Sequence, residues 1–254
     1  MTQLDVQAVK PTATRTVLIA LATVVTMAIT GSLGFWQLSR AAEKQALEDL
    51  IDARANLPAL TNRDVATGGQ GADGFYRPIR LSGEWVAAAT VFLDNRPMGG
   101  RSGFIVVTPL RLEGEDREIL VQRGWVPRNF TDRTQIPAIP TPSGAVAIEG
   151  RLAPPPSHLF ELGPSEPGPI RQNIDINAFS QATGLNLVNA SVLQTAPSAS
   201  EFERDWPRYA AGKQKNYGYA FQWFAMCATA AFLYLWFQII SPRRKLRPHG
   251  PESR

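Results

Sequence analysis

The sequence predicts a two-pass membrane protein. N- and C-terminal transmembrane helices flank an extracytoplasmic, mainly antiparallel β domain, barrel- or sandwich-like, of α+β class. Three observations carry this reading. Residues 16–39 and 216–241 are free of charge and predominantly apolar, 24 and 26 residues long. At ~1.5 Å per residue each is long enough to cross a ~30 Å hydrocarbon core. Lys10 and Arg15 precede the first segment, and Arg243, Arg244, Lys245 and Arg247 follow the second. Between them lie short runs of β-branched and aromatic residues, separated by turn clusters rather than long helical patterns.

The basic residues orient the chain. By the positive-inside bias both termini are cytoplasmic. Arg40 and Lys44 oppose this, but a long connecting segment translocates largely regardless of its charge. The expected layout is a cytoplasmic N-terminus at 1–15, a span at 16–39, a periplasmic domain at 40–215, a second span at 216–241 and a basic cytoplasmic tail at 242–254. The expected location is the inner (plasma) membrane, with lipid as a partner. A cleaved signal peptide fits less well, because its apolar core is shorter and ends in a small-residue site. Here the segment ends in Phe35-Trp36-Gln37-Leu38-Ser39-Arg40.

Composition narrows the chemistry. The net charge of +4 is modest, and the basic run beside the second span is a topology signal rather than a nucleic-acid surface. The one cysteine, Cys227, lies inside the second span, so neither an internal disulfide nor paired-thiolate copper transfer is available. The two histidines, His158 and His249, supply no histidine metal cluster.

The central elements follow in order. Residues 40–51 are rich in helix formers and extend the first helix out of the membrane until Pro58. Residues 67–74 read as a flexible glycine-rich loop. Residues 75–85 and 90–94 read as strands, and 95–103 as a turn cluster. Residues 104–112 and 118–126 form a hairpin around the polar turn 113–116. Residues 145–152 are a strand after a proline-rich link, 136–144. Residues 171–175 and 188–194 are weaker strands, and 176–183 is a short helix before Gly184.

No catalytic constellation is evident. His158 sits in a proline-rich loop without a nucleophile motif, and Glu113, Glu115, Asp116 and Glu118 read as solvated turn charges. The expectation is a protein that is not an enzyme and holds no metal. Arg123-Gly124-Trp125 ends a strand, where glycine permits a close turn or a bulge, Trp125 anchors a core and Arg123 pairs a carboxylate. Tyr217, Tyr219 and Trp223 form an aromatic belt at the start of the second span. Gln222, polar in that setting, seeks a partner, and Gln37 is a candidate across the helices.

Several phrases, taken in order, resemble the Surfeit-locus-one cytochrome oxidase assembly proteins. They are Leu33-Gly34-Phe35-Trp36-Gln37-Leu38-Ser39-Arg40; Asp94-Asn95-Arg96 with Gly100, Gly103-Phe104 and Thr108-Pro109-Leu110; Leu120-Val121-Gln122-Arg123-Gly124-Trp125-Val126-Pro127; Arg171-Gln172-Asn173-Ile174-Asp175; and Gly218-Tyr219-Ala220-Phe221-Gln222-Trp223-Phe224. The resemblance implies a chaperone-like role in building haem-copper cytochrome c oxidase, when haem a enters subunit I. Subunit I and haem A synthase are the implied partners. The haem region maps to Asn216, Tyr219, Gln222 and Trp223; the partner or fold motifs map to Trp36, Gln37, Arg40, Arg123, Gly124 and Trp125. The resemblance also implies a transient haem a contact, with a histidine just before the second span as axial ligand. Asn216 stands at that position, and an amide is a poor iron ligand beside imidazole. Two other classes compete: a membrane-tethered envelope enzyme acting on a small substrate, and a scaffold of an unrelated envelope complex.

Overall fold

Both charge-free segments are helical. The computed structural model describes residues 13–68, 71–129, 131–132, 135–160, 168–196, 202–206 and 212–241. Lys10, the 243–247 basic cluster and His249 lie outside the described residues. The chain divides into two compact units, one built from Met1–Glu48 with Tyr209–Arg254, the other from Asp49–Arg208.

In the first unit α1 (Ala13–Ala55, of which residues 13–48 belong here) meets α4 (Lys213–Tyr234), which passes without a break into a π-helical end, Leu235–Ile240. Both helices are long and apolar enough to cross a membrane. Their large apolar side chains face outward: Val17, Leu18, Phe221 and Phe232 are all more than half exposed. Such surface suits hydrocarbon, not water. Threonines 23, 26 and 30 return their hydroxyls to the carbonyl four residues back, so no side-chain donor is wasted.

The second unit is a mixed sheet with small helices. Its strands are β1 (Pro78–Trp85), β2 (Val91–Leu93), β3 (Gly103–Leu112), β4 (Glu118–Pro127), β5 (Ala145–Ala153), β6 (Ile170–Arg171) and β7 (Leu187–Gln194). The order is β1-β5-β7-β4-β3-β2-β6, and β3 also pairs with β1. Five strands therefore close a ring, β1-β5-β7-β4-β3. The second half of β3 serves β1, through Leu112 opposite Gly83, and its first half serves β2, through Val107 opposite Val91. The barrel-like expectation matches this ring. The sheet departs from it in two parallel ladders, β4 with β7 and β2 with β6. A parallel pair needs a long crossover, and the chain from β4 to β7 supplies one through β5, β6 and α3 (Ile176–Thr183).

Alternation places the core. Ile79 and Leu81, Leu110 and Leu112, Ile119 and Val121, Ile148 and Leu152, and Val188, Ala190 and Val192 form one buried cluster inside the ring. On the other face of the sheet, α3 packs Ile176 and Phe179 against Val91, Leu93, Val107, Leu120 and Leu187. Strand β4 is buried along nearly its whole length because both clusters use it. The short helix before Gly184 is α3 as expected: Asp175 caps its first turn by accepting from the Ala178 amide, and Gly184 ends it at φ 70°. The 113–116 hairpin turn is also as read, except that Glu118 is buried and accepts from Arg111 Nε (3.2 Å) and the Asn186 amide (2.8 Å). Of the remaining strand candidate at 171–175 only Arg171 joins a ladder, in β6 with Ile170. A helix absent from the sequence reading, α2 (Asn62–Ala66), fits where Thr61 donates to Asp64 from both its amide and its hydroxyl.

Candidate functional site

In the helix pair, the candidate residues divide into an inner seam and an outer belt. Thr30, Gly34, Gln37, Ala41, Lys44 and Glu48 recur at alternating spacings of four and three, which places them on one face of α1. Thr30, Gly34 and Ala41 are the buried residues of that helix. Opposite them α4 presents Lys213, Asn216, Ala220, Phe224 and Cys227, and Ala220 is its buried residue. The two helices run antiparallel, since contacts at rising numbers on α1 meet falling numbers on α4. Cys227 Sγ lies 3.6 Å from the Met27 carbonyl, Phe224 lies edge-on to Phe35, and Asn216 Nδ2 donates to Gln37 Oε1 at 2.7 Å.

Gly34 makes this approach possible. A Cβ on it would lie 2.7 Å from the Phe224 ring. Small residues at such a seam let helices associate where hydrocarbon offers no hydrophobic drive. Toward the polar end, Lys44 Nζ donates to Asn216 Oδ1 at 2.8 Å. Lys213 donates to Gln45 at 2.8 Å and pairs with Glu48. The Lys44–Glu48 spacing along one helix is thus not used as a pair; both residues turn to α4. Arg40 pairs instead with Glu43 on the exposed face.

The outer belt is Trp36, Tyr217 and Tyr219, all exposed, with Trp223 half-buried. Gln222 is exposed as well. The partner of Gln37 is therefore Asn216 and not Gln222, because Asn216 lies on the seam face and Gln222 on the other.

These residues do not fit an axial haem ligand. The Asn216 amide is engaged at both ends, its nitrogen on Gln37 and its oxygen on the Lys44 ammonium. A cation beside the ligand position disfavours a ferric centre, and neither helix carries a histidine.

In the sheet unit, the Arg123-Gly124-Trp125 phrase is a bulge in β4. Val106 pairs with Gly124 and Val107 with Gln122, which leaves Arg123 as the extra residue. Gly124 sits at φ 153°, and a Cβ there would lie 2.6 Å from Phe202 Cβ. Trp125 is fully buried, and its indole N–H donates to the Arg96 carbonyl at 2.7 Å. Trp125 also exchanges backbone hydrogen bonds with Glu203, at 2.7 and 2.9 Å.

Among the described residues Arg123 does not meet the expected carboxylate. Its Nη1 donates to Thr141 Oγ1 (2.8 Å) and its Nη2 to the Pro140 carbonyl (2.7 Å). Its guanidinium lies over the rings of Trp85 and Phe202, 4.8 and 4.9 Å from their centroids. Burial, and secondarily the like charge of Arg204, pushes it down to about 10. It remains a cation at neutral pH. The Asp94-Asn95-Arg96 phrase proves structural. Arg96 is buried, and its guanidinium donates to the carbonyls of Ser157 and Gln172 at 2.7 and 3.0 Å. Asn173 bridges the Leu159 amide and carbonyl at 2.7 and 2.8 Å. His158, in the same loop, is exposed.

Lys44, Glu48, Lys213 and Arg204 were not among the sequence candidates. The four-three spacing along α1 carried a signal for the first two; nothing in the sequence tied Arg204 to Arg123.

Comparison with known proteins places these features in one group. The chain is 26% identical over 226 residues to a SURF1-like protein of Rickettsia felis, covering 85% of this chain and 94% of that one. It is 24% identical over 242 residues to a SURF1-like protein of Drosophila melanogaster, covering 85% and 75%. A Surfeit locus protein 1 of Arabidopsis thaliana is 31% identical over 118 residues, 42% of this chain and 33% of that one. The model of the SURF1 family matches residues 24–228, from within α1 through the sheet to the middle of α4, and the chain belongs to that family.

Proposed function

We propose that the protein is a non-enzymatic assembly factor for haem-copper cytochrome c oxidase, acting when haem a enters subunit I. The observation that carries this is the family match across both helices and the sheet unit. The family is known generally for cytochrome oxidase assembly. The two apolar helices anchor the protein in the inner membrane and offer lateral contact to subunit I, with haem A synthase as a second neighbour. Both termini face the cytoplasm and the sheet unit faces the periplasm, in keeping with the basic residues outside the two spans. Haem a is cargo of the step rather than a resident ligand of this chain, since Asn216 is committed to Gln37 and Lys44.

The test is deletion of the gene in a strain that makes an aa3-type oxidase. The haem a absorbance of the membranes falls while b- and c-type cytochromes persist, and the wild-type gene restores it. An unchanged oxidase spectrum in a strain with no second copy of this family rejects the proposal.

A further inference from the structure

Arg123 and Arg204 share a cavity of about 320 Å³ in the sheet unit, lined also by Trp85, Pro140, Gln194 and Phe202. Their known acceptors are all neutral. Arg123 donates to Thr141 and Pro140, and Arg204 donates from Nε to the Arg123 carbonyl at 2.7 Å and from Nη1 to the Ala196 carbonyl. Among the described residues no carboxylate lies within ion-pair distance of either. Glu203, next to Arg204 in sequence, is taken by Arg101. Among the described residues each guanidinium has two hydrogen-bond acceptors, fewer than its five N–H donors.

A buried and a half-buried like charge with no counter-ion among the described residues are costly, and burial lowers the proton affinity of both. The rings of Trp85 and Phe202 offset part of that cost for Arg123, and Phe202 also lies 6.0 Å from the Arg204 guanidinium carbon. A third group is unsatisfied: Gln194 Oε1 is buried and has no hydrogen-bond partner among the described residues. The cavity thus presents two cations and one lone acceptor side by side. A ligand that answers all three carries an anionic oxygen pair and an adjacent N–H.

We propose that this cavity binds an acidic peptide segment of a partner protein, with a side-chain carboxylate bridging Arg123 and Arg204 and a peptide N–H donating to Gln194. The anion and the donor follow from the cavity; the choice of a peptide rests on the assembly-factor reading. Sequence alone did not bring the two arginines together, since Arg204 reaches Arg123 from 81 residues away.

Calorimetric titration of the full-length protein in non-ionic detergent tests this. The probe is an acetylated, amidated hexapeptide, Gly-Ser-Glu-Glu-Ser-Gly, against its counterpart with glutamine in place of glutamate. The acidic peptide binds, the glutamine peptide binds at least tenfold more weakly, and Arg204→Gln weakens the acidic peptide at least tenfold. Where that variant does not fold, Ala147→Glu is read instead. It adds a carboxylate at an exposed position lining the same cavity and has the same expected effect. Equal binding of both peptides, or undiminished binding to the folded variant, overturns the proposal. So does inorganic phosphate that binds at the two arginines while the peptide does not compete, which would mark a site for a free anion. The deletion spectrum tests the assembly reading separately, so absence of peptide binding with a lost haem a signal rejects only the peptide site.

Discussion

Asn216 donates to Gln37 across the helix pair at 2.7 Å while its carbonyl oxygen accepts from Lys44 at 2.8 Å. One amide therefore ties together two positions of α1, in keeping with the proposal that haem a is not a resident ligand of this chain. The expected outcome is that full-length protein purified in detergent from haem-a-producing cells shows no Soret band. A near-stoichiometric Soret absorbance would overturn this.

Gly34 sets how closely the helices pack. A Cβ there meets the Phe224 ring at 2.7–3.0 Å, too close for an ordinary contact. Gly34→Val should push the helices apart. The reporter is a disulfide between native Cys227 and a cysteine at position 27 (Met27→Cys), because Cys227 Sγ already lies 3.6 Å from the Met27 carbonyl. The added valine should lower the crosslink yield several-fold, and an unchanged yield would show that Phe224 yields instead.

Gly124→Ala should destabilise the sheet unit by about 3 kcal/mol, from a backbone conformation that side chains rarely adopt and from overlap with Phe202. Chemical denaturation followed by near-ultraviolet circular dichroism measures it. A loss below about 0.5 kcal/mol, the usual range for a surface change, would contradict the bulge account.

Asp64 makes a pH-dependent contribution at the start of α2. Hydrogen bonds from the Thr61 amide and hydroxyl hold its carboxyl below the usual range. A carboxyl with a lowered folded value stabilises above its unfolded value, and the benefit is lost as pH falls through the folded one. Asp64→Ala should therefore lower the melting temperature at pH 7, with a difference that shrinks to nothing in strong acid. A constant difference from pH 7 to pH 2 would assign the effect to packing.

Arg123 shows where sequence reading stopped. Its place beside a glycine that interrupts the ladder was legible, because glycine next to a large aromatic in a strand signals a local backbone requirement, but it stands in the middle of β4 and not at a strand end. Its partners were not, because Thr141, Phe202 and Arg204 come from loops 18 to 81 residues away. Gln222 failed for a related reason: polarity marks a residue that wants a partner, but only the helix rotation says which face it occupies.

By itself the sequence determined the two apolar helices, the 104–126 hairpin, the short helix before Gly184 and a break in regular backbone at Gly124. All of these rest on local patterning, capping and backbone freedom, which act over a few neighbouring residues. Only the tertiary structure decided that the ring closes through β1 and β3 with parallel neighbours, that Asn216 serves Gln37 and Lys44, and that Arg123 and Arg204 face one cavity. Those choices depend on which surfaces bury each other, and the free energy that selects them comes from contacts between segments far apart in the chain.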